Sequence, residues 1–425
     1  MTHHPPPSPA SSVPLRLRPL TATFTIGVAG YLGINLSPYL LDIVSKTVGT
    51  DTVTAGWIVT GMLLATAAVG LAISPLCAGA RRRGVAQTGL LVATVAFGIA
   101  ALLPAPATVL IGLLVGGAGA GCAVAASGAA FAAFADPDRV AGINGLANRA
   151  IAAAVLAIVP ALGLVPINVI GALAVFCLLG LLLTVWLPQT PAPDPAIEQP
   201  HKATDSFTNT EAGGNRIAAI LGIAILVTFA IWAVSEDSLW ATSVILAQTQ
   251  AGVPDEALGI ALSGATAGGM AGAFLLMVVG KRLGRALPLA VLVLLCSALK
   301  LSIGLVTNPV AFIIVFIAWN AVYTMAYGYF LATAAALDAN GRWSGPLLAA
   351  YLVGSSLAPV VGAALAESLG TTGFTIAISV TSAVLAIPAA IAARYSSRSD
   401  RARHVTGAEP APSTVPPESD RAEAQ

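Results

Sequence analysis

Charged residues are scarce in this sequence. Asp, Glu, Lys and Arg together make up 9% of its 425 residues, whereas soluble domains carry about 25%. Hydrophobic residues make up 57% of the chain. This composition excludes a soluble globular protein and predicts that most of the chain lies in a lipid bilayer.

Polar chemistry of the usual catalytic kind is also missing from the apolar segments. The histidines all lie in polar stretches, at His3, His4, His201 and His404. The cysteines all lie in apolar segments, at Cys77, Cys122, Cys177 and Cys296, and are interpreted as small hydrophobic residues. No GxxxxGK[ST] nucleotide motif occurs. The sequence therefore predicts no enzyme, no metal site and no cofactor, and it indicates no nucleic-acid partner.

Long apolar segments recur along the chain, each close to the length of about 20 residues that crosses a bilayer. Turn-like breaks separate them, except at the long polar stretch between the sixth and the seventh. The predicted transmembrane spans are residues 19–43, 54–78, 86–103, 107–135, 139–163, 166–187, 216–246, 256–280, 286–305, 308–335, 344–367 and 371–394. The expected fold class is an all-α integral membrane protein with twelve transmembrane helices.

Lysine and arginine are unevenly distributed between the predicted loops. If both termini are cytoplasmic, Lys46 is the basic residue left in an outer loop, and Arg149 and Lys300 lie within spans. The other basic residues then fall in inner loops and tails, as the positive-inside rule requires. The sequence therefore predicts a multi-pass protein of the cytoplasmic membrane with both termini inside the cell.

The second half of the chain repeats features of the first. The loop RRRG at 81–84 corresponds to KRLG at 281–284. Three residues of the first span have counterparts 201 positions later: Tyr31, Asn35 and Tyr39 correspond to Trp232, Glu236 and Trp240. Two pseudo-symmetric six-helix bundles explain this repeat, and such architectures bind solutes where the repeats meet.

The predicted organisation follows from the spans and the repeat. It comprises a disordered N-terminal tail (1–18), a first six-helix bundle (19–187), a cytoplasmic linker (188–215), a second six-helix bundle (216–394) and a disordered C-terminal tail (395–425).

From the basic loops and the segment GSSLAPVVGAAL (354–365), residues 18–395 resemble the major facilitator superfamily of secondary transporters. The sequence departs from the family pattern at Arg81 and Lys281, where the family usually has aspartate, and at Leu113, where it often has arginine. The resemblance implies alternating access and a central cavity lined by the first, fourth, seventh and tenth spans.

Polar and aromatic stripes on three of these spans are the predicted substrate-binding residues. They are Tyr31, Asn35 and Tyr39, with Asp42 as a further candidate, in the first span, Trp232, Glu236 and Trp240 in the seventh, and Asn320, Tyr323 and Tyr327 in the tenth. Aromatic faces and an acid suit a cationic or aromatic organic molecule, although the same groups bind sugars and neutral metabolites. Alternatively, the aromatic residues form an interfacial anchor belt.

Charged residues within the spans are the candidates for ion coupling. A carboxylate at membrane depth is costly unless it faces water, a partner or a cavity, so Glu236 and Asp237 are the predicted proton-coupling residues. Alternatively, both are solvated at the outer interface. Arg149 could pair with a substrate anion or a carboxylate, or extend to the inner surface. Lys300 is expected to extend to the outer interface.

The leading hypothesis is a proton-coupled secondary transporter that moves a small organic solute across the membrane by alternating access, as a monomer in the lipid bilayer. The alternative is a non-transporting membrane sensor or assembly partner built on the same scaffold. That alternative predicts a cavity closed by side chains, with Glu236 packed against lipid or a basic residue.

Overall fold

The computed structural model describes residues 16–78, 81–131, 133–134, 137–189, 212–279, 284–337 and 344–406. Regular structure in this part of the chain is entirely helical. The helices are α1 (Leu17–Asn35), α2 (Ser37–Val48), α3 (Thr52–Ala78), α4 (Arg82–Leu102), α5 (Pro106–Phe131), α6 (Pro137–Leu162), α7 (Pro166–Leu183), α8 (Ala212–Thr249), α9 (Asp255–Val279), α10 (Ala286–Leu305), α11 (Pro309–Leu337) and α12 (Ser344–Thr406).

The helices account for the predicted transmembrane spans. Ten are long and apolar enough to cross a membrane, and the bent pair α1–α2 supplies an eleventh span. The apolar part of α12, Pro346–Ser397, has 52 residues and is broken at Gly370, where φ is 70°. It is therefore long enough for two spans, and the all-α fold with twelve transmembrane helices is confirmed.

Parts of the predicted organisation fall outside the described residues, namely 1–15, 190–211 and 407–425. The helix α12 continues to Thr406, so its C-terminal turns lie beyond residue 394, where the second bundle was predicted to end. The positions of the domain boundaries otherwise stay predictions.

The first span is not one straight helix. The axes of α1 and α2 differ by 57°, and Leu36 between them has φ −89° and ψ 5°. Pro38 lies in the first turn of α2 and cannot donate a backbone hydrogen bond, which ends α1 before it. The predicted stripe is thus divided: Tyr31 and Asn35 lie on α1, whereas Tyr39 and Asp42 lie on α2.

The two halves of the chain meet through equivalent helices. The second span packs against the eleventh (α3 against α12), and the fifth packs against the eighth (α6 against α9). By the internal repeat, the second span corresponds to the eighth and the eleventh corresponds to the fifth, so the two contacts are equivalent. These contacts, together with the packing of α2 against α8, support the internal repeat inferred from the sequence.

Close packing joins the halves at one end of the bundle. A Cβ atom placed on Gly56 of α3 would lie 3.0 Å from the Pro359 carbonyl oxygen of α12. Beside it, the Val360 N–H donates to Thr60 Oγ1 at 3.2 Å. On the other side of the interface, Gly259 of α9 packs against the backbone of Ala157.

We call these contacts the seal. In it, Gly56 and Thr60 of α3 pack against residues 359–360 of α12, and Gly259 of α9 packs against Ala157 of α6. The seal lies at the end of the bundle that carries the turns at 49–51, 163–165 and 250–254. Nearer the opposite end, Gly145 lies in open space, because a Cβ atom there would meet nothing within 4 Å. The two ends of the half-to-half interface therefore differ.

Glycines of α5 bring its backbone close to two neighbouring helices. A Cβ atom on Gly117 would lie 2.4 Å from the Met62 carbonyl oxygen of α3, and one on Gly119 would lie 2.4 Å from the Gly89 carbonyl oxygen of α4. Small residues at such positions allow backbones to approach closely within a membrane. The fourth span therefore holds the first half together.

Candidate functional site

A cavity of about 360 Å³ lies between the two halves, past the seal. Its size falls at the lower end of the range of about 300–1,000 Å³ typical of small-molecule sites. Polar and aromatic side chains dominate its wall. The lining residues are Tyr31, Ile34, Asn35, Asn144, Gly145, Asn148, Arg149, Asp237, Trp240, Thr266, Trp319, Asn320, Tyr323, Tyr327, Tyr351 and Leu352.

Helices α1 and α6 form the wall contributed by the first half. Asn35 Nδ2 donates to Asn148 Oδ1 at 3.3 Å and to the Tyr31 carbonyl oxygen at 3.2 Å, which joins the two helices. Asn144 lies one turn before Asn148 on the same face of α6, and its Oδ1 is buried without a hydrogen-bond partner among the described residues. This wall is therefore rich in amides.

The wall from the second half is mainly aromatic. Along α11, the rings of Phe316 and Trp319 stack with centroids 5.3 Å apart, and those of Trp319 and Tyr323 stack at 5.7 Å. Trp240 of α8 extends the column, with its ring 5.9 Å from Phe316. Stacked aromatic pairs of this kind stabilise a fold beyond the effect of their buried area.

Asp237 is the carboxylate that lines the cavity. Its Oδ1 accepts a hydrogen bond from the Tyr323 hydroxyl at 3.3 Å, and the hydroxyls of Tyr351 and Ser355 lie nearby. Its Oδ2 is buried with no hydrogen-bond partner within the part of the chain that the structure describes. One carboxylate oxygen therefore accepts no hydrogen bond of normal geometry, and the Ser355 and Tyr351 hydroxyls are its polar surroundings.

Arg149 is the cation that lines the cavity. From α6 it reaches across the interface to α9, where a Cβ atom on Gly269 would lie 2.5 Å from Arg149 Nη1 and 2.4 Å from Asn320 Oδ1. Glycine at 269 therefore makes room for the guanidinium. Arg149 forms no hydrogen bond or ion pair with any described residue, and Asn320 Oδ1 likewise has no partner there.

Glu236 lies behind the cavity wall, inside the second half. Its Oε1 pairs with Lys300 Nζ at 2.8 Å, and both side chains are fully buried. The Trp319 indole N–H donates to Glu236 Oε2 at 2.7 Å, and Ser382 Oγ donates to Oε1 at 3.0 Å. The acid is therefore neutralised and hydrogen-bonded away from the cavity.

The expectation that Lys300 extends to the outer interface is wrong. Its ammonium group also donates to Ser235 Oγ at 2.7 Å and to Ser382 Oγ at 2.6 Å. Burial of a lysine in a membrane protein requires such partners, and Glu236 supplies the opposite charge.

Most of the predicted binding residues line the cavity, namely Tyr31, Asn35, Trp240, Asn320, Tyr323 and Tyr327. The predicted charged residues Arg149 and Asp237 line it as well. Tyr39, Trp232 and Glu236 do not. The Tyr39 hydroxyl is turned to α6, where it donates to the Leu156 carbonyl oxygen at 2.8 Å. Trp232 is buried behind Tyr323, with ring centroids 5.3 Å apart. Asp42 pairs with Lys46 at 2.7 Å.

Several lining residues were missed from the sequence, namely Asn144, Asn148, Thr266, Trp319 and Tyr351. A signal existed for three of them. Asn144 and Asn148 are four residues apart and therefore share a face of α6. Trp319, Tyr323 and Tyr327 have the same spacing on α11. Among the residues with described positions, no group of three His, Cys, Asp or Glu side chains could hold a metal ion.

The helical plan and the central cavity define a multi-pass membrane transporter. The Major Facilitator Superfamily model matches residues 22–339, so the chain belongs to this superfamily. No curated protein matches the sequence.

Solved structures of transporters are similar to this fold. The crystal structure of a D-xylose–proton symporter matches with TM-score 0.66 and 14% identity, covering 87% of this chain and 96% of its own. A peptide transporter POT in complex with sulfate matches with TM-score 0.69 and 15% identity, covering 91% and 98%. The inward open xylose transporter XylE from E. coli matches with TM-score 0.64 and 14% identity, covering 87% and 94%.

Proposed function

We propose that this protein is a proton-coupled secondary transporter that moves a small organic solute across the cytoplasmic membrane by alternating access. The observation that carries the proposal is the position of Asp237, a carboxylate with one oxygen that accepts no hydrogen bond of normal geometry, in a cavity between the two halves. A group that binds and releases a proton during transport must reach such a cavity. One of the similar structures is that of a D-xylose–proton symporter, which agrees with this proposal.

Alternating access needs an interface that closes at one end and opens at the other. The seal supplies the closed end, and Gly145 lies toward the open end. With the cytoplasmic termini that the basic residues predict, the seal faces outward and the opposite end of the cavity faces the cytoplasm.

Asp237 is favoured over Glu236 as the proton carrier. Glu236 is already neutralised by Lys300 at 2.8 Å and has no exposed surface, so a proton added there would leave the buried ammonium without its counter-charge. Asp237 has no basic partner within 4 Å among the described residues. Protonation of Oδ2 would remove the negative charge from that buried oxygen and turn it into a hydroxyl donor.

The alternative of a non-transporting sensor predicted two features, and the molecule has one of them. Glu236 does pack against a basic residue, Lys300. The cavity, however, is not filled by side chains and keeps about 360 Å³. A polar cavity that side chains do not fill favours solute transport.

The test is proton movement in proteoliposomes that contain a pH-sensitive dye. Organic cations, neutral sugars and carboxylates are added in turn to the wild type, to Asp237→Asn and to Asp42→Asn. The last variant is the matched control, because Asp42 pairs with Lys46 away from the cavity lining.

We expect a solute-dependent proton signal in the wild type and in Asp42→Asn, and none in Asp237→Asn. A signal that survives in Asp237→Asn would exclude this residue as the carrier. Solute binding without any flux would favour the sensor.

A further inference from the structure

We infer that the transported solute is a singly charged organic anion, such as a monocarboxylate, which binds Arg149 and moves together with one proton carried by Asp237. This inference rests on the proposed transport function and specifies its substrate class and stoichiometry. It depends on three properties of the cavity: a guanidinium without a counter-ion, amides beside it, and a balance of charge that only certain solutes preserve.

The first property is the state of Arg149. A guanidinium at membrane depth is costly unless it is paired or hydrogen-bonded, yet Arg149 forms neither contact with any described residue. Gly269 leaves the space that the group occupies between the two halves. Guanidinium groups bind carboxylates through two parallel hydrogen bonds, so a carboxylate solute supplies the missing partner.

The second property is the set of amides around this cation. Asn148 precedes Arg149 on α6, and the buried Oδ1 atoms of Asn144 and Asn320 lack hydrogen-bond partners among the described residues. These acceptors suit hydroxyl groups on the solute. A small hydroxylated or keto monocarboxylate therefore fits both the charge and the hydrogen-bonding capacity of the cavity better than a bare hydrocarbon acid.

The third property is the charge of the whole site. Arg149 and Asp237 are the charged residues of the lining, and the buried pair Glu236–Lys300 is neutral in itself. An anion bound alone would leave the cavity with one excess negative charge. One proton on Asp237 restores neutrality, so anion and proton bind best together, and the loaded cavity carries no net charge.

Among the described residues that face Asp237, no other side chain is an unpaired carboxylate or an imidazole. The groups that face it are the phenols of Tyr323 and Tyr327 on α11 and of Tyr351 on α12, and free phenols ionise only near pH 10. Across the cavity, the guanidinium of Arg149 offers hydrogen-bond donors and no acceptor. Glu236 and Lys300 are turned toward each other behind Trp319. Asp237 is therefore the group that takes up the proton.

A solute cation leads to a different expectation. It would bind ionised Asp237 and displace a proton, which produces exchange in opposite directions. The sign of the solute charge therefore determines whether solute and proton travel together or in opposite directions. This difference makes the inference testable without knowing the natural solute.

The experiment measures uptake of labelled pyruvate, lactate and gluconate into proteoliposomes, with glucose and tetraethylammonium as comparators. Internal and external pH and the potassium diffusion potential are set independently. The variants are Arg149→Gln, Arg149→Lys, Asp237→Asn and the control Lys46→Gln, which removes a cation whose side chain is 60% exposed. Each variant is first shown to be monodisperse.

For the wild type, we expect at least one anion to accumulate in response to a pH gradient and to be insensitive to membrane potential. Arg149→Gln should lower anion uptake at least tenfold, Arg149→Lys less, and Lys46→Gln not at all. Asp237→Asn should still equilibrate the anion, but without proton movement and now in response to membrane potential.

Some outcomes would overturn the inference. Proton-coupled uptake of glucose or tetraethylammonium in place of all three anions would exclude the anion class and leave the proposed transport function intact. Equal anion uptake in the wild type and Arg149→Gln would exclude the binding role of Arg149. Absence of any flux from folded protein would overturn the inference and the transport function together.

Discussion

Trp319 lines the cavity with its ring and donates its indole N–H to Glu236 Oε2 at 2.7 Å on the opposite side. Glu236 in turn is held by Lys300 and Ser382. A buried polar cluster that no solute reaches thus fixes the orientation of a cavity wall. Glu236 can therefore influence solute binding through Trp319 without touching the solute.

Breaking the buried pair from one side should destabilise the protein strongly. In Glu236→Gln or Lys300→Met, the remaining group is left uncompensated in the bundle, which costs about 3–5 kcal/mol. The double variant Glu236→Gln/Lys300→Met should lose less stability than the sum of the losses in the two single variants. Thermal unfolding in detergent measures this, with Lys46→Met as the comparison, because the Lys46 side chain is 60% exposed whereas Lys300 is fully buried. Additive losses would show that the pair acts as two independent groups.

Removing the indole N–H should weaken solute binding. Trp319→Phe keeps a ring in the stack with Phe316 and Tyr323 but loses a hydrogen bond to a charged acceptor, worth about 1.5–3 kcal/mol. We expect a several-fold rise in the KM of transport and a lower unfolding temperature. Trp57→Phe is the matched control, because Trp57 is 60% exposed. An unchanged KM would mean that the indole orientation does not matter for binding.

A wedge in the seal should prevent its closure. Gly56→Leu places a branched side chain where a Cβ atom alone would lie 3.0 Å from α12, whereas Gly98→Leu fills open space on α4 and serves as the control. We expect Gly56→Leu to lose transport. A cysteine introduced at Thr266, in the cavity lining, should then react with an impermeant maleimide from the side of the seal.

Labelling of the Thr266→Cys reporter is compared with and without the Gly56→Leu substitution. Equal labelling, with transport retained, would show that this contact does not close the interface.

Tyr39 provides a test of the division within the first span. Its hydroxyl donates to Leu156 O at 2.8 Å and lies outside the cavity lining. Tyr39→Phe should therefore cost about 1 kcal/mol of stability and leave the KM of transport unchanged. Tyr31→Phe is the comparison from the lining. A changed KM for Tyr39→Phe would return this residue to the solute pathway.

The sequence predicted the fold because bilayer length and hydropathy constrain each span separately. It also predicted most of the cavity stripe on α11, since Asn320, Tyr323 and Tyr327 are polar or aromatic in an apolar helix. The break at Leu36 was missed, although Pro38 was visible, because proline is tolerated within many membrane helices.

The pairing of Glu236 with Lys300 could not be predicted from one sequence. The two residues belong to the seventh and ninth spans, and neither periodicity nor composition reveals which helices touch. Trp319 was missed for a related reason: neighbouring residues on a helix point about 100° apart, and the sequence does not fix how α11 is rotated toward the cavity.

The glycine contacts of α5 restrict how the molecule can change shape. With Gly117 against the backbone of α3 and Gly119 against the backbone of α4, these three helices interlock too closely to slide past one another while packed. We therefore expect a change of access to move α3, α4 and α5 together as one rigid unit. Spin labels on α3 and α5 should then keep a constant separation in every state of the transport cycle.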